Sequence, residues 1–163
     1  MDTQQVEKYY VIDHQEGPLH TWAKSELFQM ISYMEKSKSH LVITNADTMI
    51  CNDPNDESAA EYKECYEELK KELDKYNGRH FLIGKSVKDL VSEDASSVQI
   101  GDKSFPFKRT VLLDMRADAH LAPKDVNEFD VLIFGGILGD NPPRDRTKDL
   151  RDKGFIRRHL FEK

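Results

Sequence analysis

Four short runs constrain the fold before anything else does: Tyr9–His14 (YYVIDH), His40–Thr44 (HLVIT), Thr110–Asp114 (TVLLD) and Asp130–Phe134 (DVLIF). Each is a nearly unbroken series of aliphatic, β-branched and aromatic residues, not an alternation of apolar and polar ones. Strands of that kind are buried on both faces, as in a parallel sheet covered by helices, whereas a half-solvated antiparallel meander alternates. Helical patterns lie between the runs. The expected architecture is therefore α/β, a mostly parallel sheet with flanking helices. Its 163 residues suit a single domain spanning 1–163.

The helices can be placed by their apolar spacing. Thr21 is a candidate cap for a helix in which Trp22, Leu27, Phe28, Ile31 and Met34 recur, running to about Lys36. Asp53 is a candidate N-cap for a second helix, with Pro54 suited to its first position and acidic residues in its first turn. Tyr62, Cys65, Tyr66, Leu69, Leu73 and Tyr76 then form one apolar stripe, and Asn77-Gly78 ends it. The other side is a Glu/Lys surface, either a solvated face or a partner-binding one. This acidic helical segment at 53–77 reads as an insert. Between 84 and 108 only the run 86–91 (SVKDLV) reads as a helical turn, and the rest reads as loop. A helical turn is expected within Pro123–Phe129, and a helix from about Pro142-Pro143 to Lys153, closed by Gly154. Phe155–His159 is the expected last strand.

Charge and cysteine content narrow the function. Twenty-four Lys or Arg against thirty Asp or Glu give a net charge of −6, so no global positive field attracts nucleic acid. From Arg144 to Lys163, however, eight basic residues face four acidic ones, so an RNA partner stays open. The longest apolar run, Val131–Leu138, falls far short of the roughly 20 residues of a membrane span, and no membrane association is expected. Cys51 and Cys65 form no CxxC. With no signal-peptide pattern at the N-terminus, the expected setting is the cytoplasm. The six histidines are too scattered to suggest a metal site.

In a parallel sheet ligands sit beyond the carboxyl ends of the strands. Those ends are Asp13-His14, Thr44-Asn45, Asp114-Met115-Arg116 and Gly135-Gly136. The run from Phe134 to Arg146 (FGGILGDNPPRDR) is the sharpest local feature. Gly135, Gly136 and Gly139 allow a tight turn and close backbone approach to a ligand. A helix start after them would offer free amides to an adenosine or a carboxylate. Read alone, the run is either such a loop or a plain strand-to-helix turn. It is neither a P-loop, since no Gly-Lys-Ser/Thr follows, nor a Rossmann fingerprint.

FGGILGDNPPRDRTKDL closely resembles the signature of the SPOUT-class S-adenosylmethionine-dependent methyltransferases, in the branch that contains the yeast-type protein arginine methyltransferase. The resemblance extends to Leu112-Leu113-Asp114-x-Arg116-Ala117, to Tyr10–His14 followed by Glu16 and Trp22, and to Arg157-Arg158-x-Leu160. It implies methyl transfer from S-adenosylmethionine to an arginine of a protein, a ribosomal protein of the small subunit. It also implies a trefoil-knot fold. The implied cofactor contacts are Leu113, Asp114, Met115, Phe134, Gly135, Gly136, Ile137, Leu138, Gly139, Arg158 and Leu160. Asp13, His14, Glu16 and Asp140 are the implied catalytic candidates, because a guanidinium must be oriented by carboxylates for one nitrogen to attack. Each can also be read as an ordinary strand-end or turn residue. Trp22 is either core or a substrate wall, and Arg144 and Arg146 are either solvated or substrate-side contacts. The oligomeric state is open.

Three departures from the family pattern shape the alternatives. Asp13 stands where the family has Glu, Met115 stands where it has Pro, and Phe161 takes a glycine position shortly before the sequence stops at Lys163. The expectation is that the terminal knot element is truncated. Hence a non-catalytic SPOUT-like binding domain stands beside the protein methyltransferase, with an RNA methyltransferase as the third reading.

Overall fold

The computed structural model describes residues 7–15, 17–51, 53–114, 116–134 and 148–159. Eight strands are present among them: β1 (Tyr9–Asp13), β2 (His40–Thr44), β3 (Phe81–Leu82), β4 (Ser97–Ile100), β5 (Lys103–Pro106), β6 (Thr110–Leu113), β7 (Val131–Phe134) and β8 (Ile156–Arg158). The helices are α1 (Thr21–Ser37), α2 (Ala59–Asp74) and α3 (Lys148–Arg151). Six strands form one sheet in the order β3-β2-β1-β7-β6-β8, and every pairing in it is parallel. β1 and β7 are the central pair, joining Tyr9 to Val131 across the middle of the sheet.

The two faces of the sheet follow the strand period of two. Tyr9, Val11, Val42, Leu112, Val131 and Ile133 point to one face, where they pack with Val87, Val98, Ile100, Leu150 and Phe155. Leu41 and Ile43 point to the other, against Ala23, Leu27 and Ile31 of α1 and Cys65, Leu69 and Leu73 of α2. Each fully buried aliphatic side chain contributes about 1.5–3 kcal/mol, so both layers are needed. The continuous apolar runs are explained by this double covering. α1 and α2 are the crossover helices of two consecutive parallel units, β1-α1-β2 and β2-α2-β3. The segment expected as an insert is thus a regular crossover.

Three expectations are corrected by the structure, and one strand is added. Thr21 begins α1 without capping it, because its Oγ1 donates to Glu61 Oε1 at 3.0 Å and so ties α1 to α2. Asp53 caps a turn and not α2. Its Oδ1 accepts the Asn55 N–H at 2.9 Å, Asp56 Oδ1 then accepts the Ser58 N–H at 2.8 Å, and the helix starts only at Ala59. The region expected as loop contains an antiparallel hairpin, β4-β5, whose two-residue turn has Gly101 at φ 61°. Phe81–Leu82 adds a two-residue edge strand that no apolar run announced. The expected turns at 86–91 and 123–129 are present as Val87–Leu90 and Pro123–Asn127.

Candidate functional site

Because the sheet is parallel, the carboxyl ends of β1, β2, β6, β7 and β8 lie at one edge. Two buried carboxylates stand there, Asp13 at the end of β1 and Asp114 just after β6.

Asp13 is 1% exposed. Its carboxylate accepts from Thr44 Oγ1 (2.6 Å), Ser86 Oγ (3.0 and 3.1 Å), the Val87 N–H (3.0 Å) and Gln15 Nε2 (2.5 Å). Expected to face a substrate guanidinium, it is instead satisfied by neutral donors, and it ties β1 to β2 and to the turn at Val87–Leu90. Its neighbour His14 is also buried, with Nε2 2.7 Å from the Gly17 carbonyl. A carbonyl only accepts, so that ring nitrogen carries the proton and pins the turn at 14–17. Asn45 Nδ2 donates to the His14 carbonyl at 2.6 Å.

Asp114 is held differently. Arg151 of α3 grips it bidentately, Nε to Oδ2 at 2.7 Å and Nη2 to Oδ1 at 3.1 Å. Arg157 of β8 adds Nη1 to Oδ2 at 3.1 Å, and the Arg116 N–H reaches Oδ1 at 2.9 Å. Burial alone would raise the Asp114 carboxyl. The hydrogen bonds from Arg151, the Arg116 amide and Arg157 outweigh it and hold the group far below the usual carboxylate range. Arg158 makes a looser arrangement with Asp125, Nε to Oδ2 at 3.8 Å, and its guanidinium lies 5.8 Å from the centre of the Phe129 ring.

Of the other residues expected at the site, Leu113 is buried at the end of β6, Phe134 is half-buried at the end of β7, and Arg158 is half-buried at the end of β8. All three stand at the carboxyl edge. Trp22 is 47% exposed on α1, so the core reading is excluded; Ala23 and Leu27 fill the buried positions there. Glu16, Met115, Gly135, Gly136, Ile137, Leu138, Gly139, Asp140, Arg144, Arg146 and Leu160 lie outside the described residues. The chain segments on which the expected knot turns lie outside them too. Ser86, Val87 and Arg151 were missed as site-edge partners. Nothing marks Ser86 in its irregular segment, and Arg151 sits in a helix that reads simply as charged.

The opposite, amino edge holds a polar cleft of about 590 Å³ lined by Glu35, His40, Tyr76 and Arg79 among others. Beside it His80 is buried, accepting the Leu41 N–H at Nδ1 (3.0 Å), so its proton sits on Nε2, 3.0 Å from Glu35 Oε1.

The six-stranded parallel sheet is shared with methyltransferases of the SPOUT class. The dual-specific Trm10 of Thermococcus kodakaraensis shares that fold alone, at 17% identity and a TM-score of 0.50 over 94% of this chain and 76% of that one. The crystal structure of the yeast arginine methyltransferase SFM1 complexed with SAM is 27% identical, with a TM-score of 0.58 over 94% of this chain and 59% of that one. The protein arginine N-methyltransferase SFM1 of Saccharomyces cerevisiae is 60% identical over 43 residues, 26% of this chain and 20% of that protein. The family described as "Protein arginine N-methyltransferase SFM1-like" matches residues 9–163, and the chain belongs to it. It spans about three fifths of the length of its solved yeast relative.

Proposed function

We propose that this chain transfers a methyl group from S-adenosylmethionine to an arginine side chain of a protein, and the observation that carries this is the family match over residues 9–163. The yeast relative was crystallised with SAM, with SAH and with MTA. The described edge suits such a nucleoside: the half-buried Phe134 offers apolar surface, and Arg157 and Arg158 offer guanidinium donors to a carboxylate tail. The bound sulfonium supplies an electrophilic methyl. In the transfer the S–CH3 bond breaks as an N–CH3 bond forms, and the arginine gives up a proton, so it remains a cation.

What the chain must add is position, since in-line alignment of sulfur, methyl and nitrogen supplies most of the acceleration. Asp13 and His14 contribute by fixing the end of β1. The groups that orient the guanidinium are assigned to Glu16 and Asp140, with Arg144 and Arg146 at the substrate side. A protein substrate is favoured over RNA by the charge distribution. Residues 46–77 hold ten Asp or Glu against four Lys, while the rest of the chain balances at twenty of each. The start of that acidic segment reaches the carboxyl edge, where Glu61 meets Thr21. Such a surface repels phosphates and attracts a basic, arginine-bearing protein, a ribosomal protein met in the cytoplasm being the assigned acceptor.

The test has two parts. Calorimetric titration with S-adenosylmethionine and S-adenosylhomocysteine should give micromolar binding. Labelled methyl should then pass to arginine in small-subunit ribosomal protein and not to RNA. Folded chain with no binding at millimolar ligand would instead make it a non-catalytic binding domain.

A further inference from the structure

The chemistry at the end of β6 goes beyond that proposal, although its meaning for catalysis rests on it. Resemblance assigns Asp114 as a cofactor contact. The geometry gives it other work. At least four donors reach its two oxygens, from a bidentate Arg151, from Arg157 and from the Arg116 amide. A carboxylate has about four lone-pair positions, so this one is committed to the protein. Its partners come from elements that are not neighbours in sequence. Arg151 lies on α3, downstream of the glycine run, and Arg157 lies on β8, whose backbone pairs with β6 through Leu112 and Leu113.

The surrounding bonds show what the carboxylate connects. α3 covers Lys148–Arg151 among the described residues. It is tied to the rest of the fold by the buried Leu150, by Arg151 on Asp114 and by a loose, exposed Lys88–Asp149 pair at 3.6 Å. β8 has three residues, all half-buried, at the open edge of the sheet. Its last carbonyl, that of Arg158, accepts the Asp114 N–H at 2.9 Å, and His159 beyond it bonds to Ala119 and Leu121. One residue therefore reaches α3 through its side chain and β8 through both side chain and backbone.

We infer that Asp114 is a positioning residue of the cofactor edge: its carboxylate holds Arg151 and Arg157 so that α3 and β8 keep one arrangement against the end of β6. It acts through those arginines and not on the ligand.

The test compares Asp114→Asn, Asp114→Glu and Arg157→Gln in the full chain by hydrogen–deuterium exchange and S-adenosylmethionine titration. In Asp114→Asn, peptides covering 148–159 should exchange about tenfold faster while those of β1 and β2 do not change, the mark of a local opening. Asp114→Glu should restore much of the protection. Arg157→Gln, a change at a partly exposed side chain, should loosen 156–159 alone and keeps the test available if Asp114→Asn does not fold. Cofactor affinity should fall in proportion to the loosening. Unchanged exchange at 148–159, or an equal rise throughout the chain, overturns the inference. So does a large affinity loss with normal exchange, which would make Asp114 a direct ligand. If the unmodified chain binds no S-adenosylmethionine, the proposed function fails, and the exchange comparison alone still decides the role of Asp114.

Discussion

Asp13 and Asp114 occupy equivalent places, each at the carboxyl end of a parallel strand and each nearly inaccessible to solvent. They differ in what holds them. Asp13 is surrounded by hydroxyl and amide donors from β1, β2 and the nearby helical turn, so its negative charge is spread over dipoles. Asp114 faces two guanidiniums, those of Arg151 and Arg157. Dipoles can reorient when the carboxylate is removed, whereas guanidiniums left behind keep their charge. Both carboxylates are thus held across long sequence separations, one by neutral dipoles and the other by ions.

That difference sets the order of the expected effects. Asp114→Ala should cost the most, about 3 kcal/mol, because it strands two partly buried cations, and the fall in urea midpoint should be largest at low ionic strength. Asp13→Ala should cost about 2 kcal/mol, since Thr44 and Ser86 can turn to other acceptors while the Val87 amide cannot. Its effect should be insensitive to salt. A salt-dependent Asp13→Ala would erase the contrast.

Acid should add to the contrast. The Asp114 carboxyl is lowered in the folded chain, so its contribution is complete above the ordinary carboxylate pKa near 3.9 and is lost as pH falls below it. His80 responds at a higher pH. Burial lowers its pKa, against the opposing pull of Glu35. The unfolded chain takes up a proton near pH 6.5 while the folded chain resists, so stability should decline below that pH by up to about 1.4 kcal/mol per unit until the folded His80 titrates. His80→Gln should flatten this limb in denaturation midpoints measured between pH 7.5 and 5.5. The smallest effect belongs to Lys24–Glu68, which joins α1 to α2 on the surface. Replacing either partner with alanine should change stability by less than about 1 kcal/mol in the same assay, salt removing most of it.

Much of this architecture was legible because double-sided burial leaves a direct mark. The runs at Tyr9, His40, Thr110 and Val131 had to be apolar at successive positions, and each became a central strand. β3 and the β4-β5 hairpin were not legible. Phe81–Leu82 is too short to show a period, and Lys103–Pro106 is mostly exposed, with Val98 and Ile100 making the buried contacts from the other strand. The site was readable as a place and less readable as roles. Strand ends identified Asp13, His14, Leu113 and Asp114, yet the donors that define what Asp13 and Asp114 do lie 31 to 74 residues away. Sequence spacing carries no trace of such pairings. Trp22 followed the helical period but fell on its outer side, a half-turn that apolar spacing alone does not resolve.

The strand order also bears on how the chain is made. β1 meets β2 after 31 residues, through Tyr9 and His40, but its other neighbour begins at Val131. During synthesis at 5–20 residues per second, the stretch from Thr44 to Val131 takes roughly 5–20 s to emerge. Throughout that interval the strand YYVID carries an unpaired parallel edge. The newborn amino-terminal half is thus a half-sheet awaiting its middle, and protection of that edge during translation is a demand this topology places on the cell.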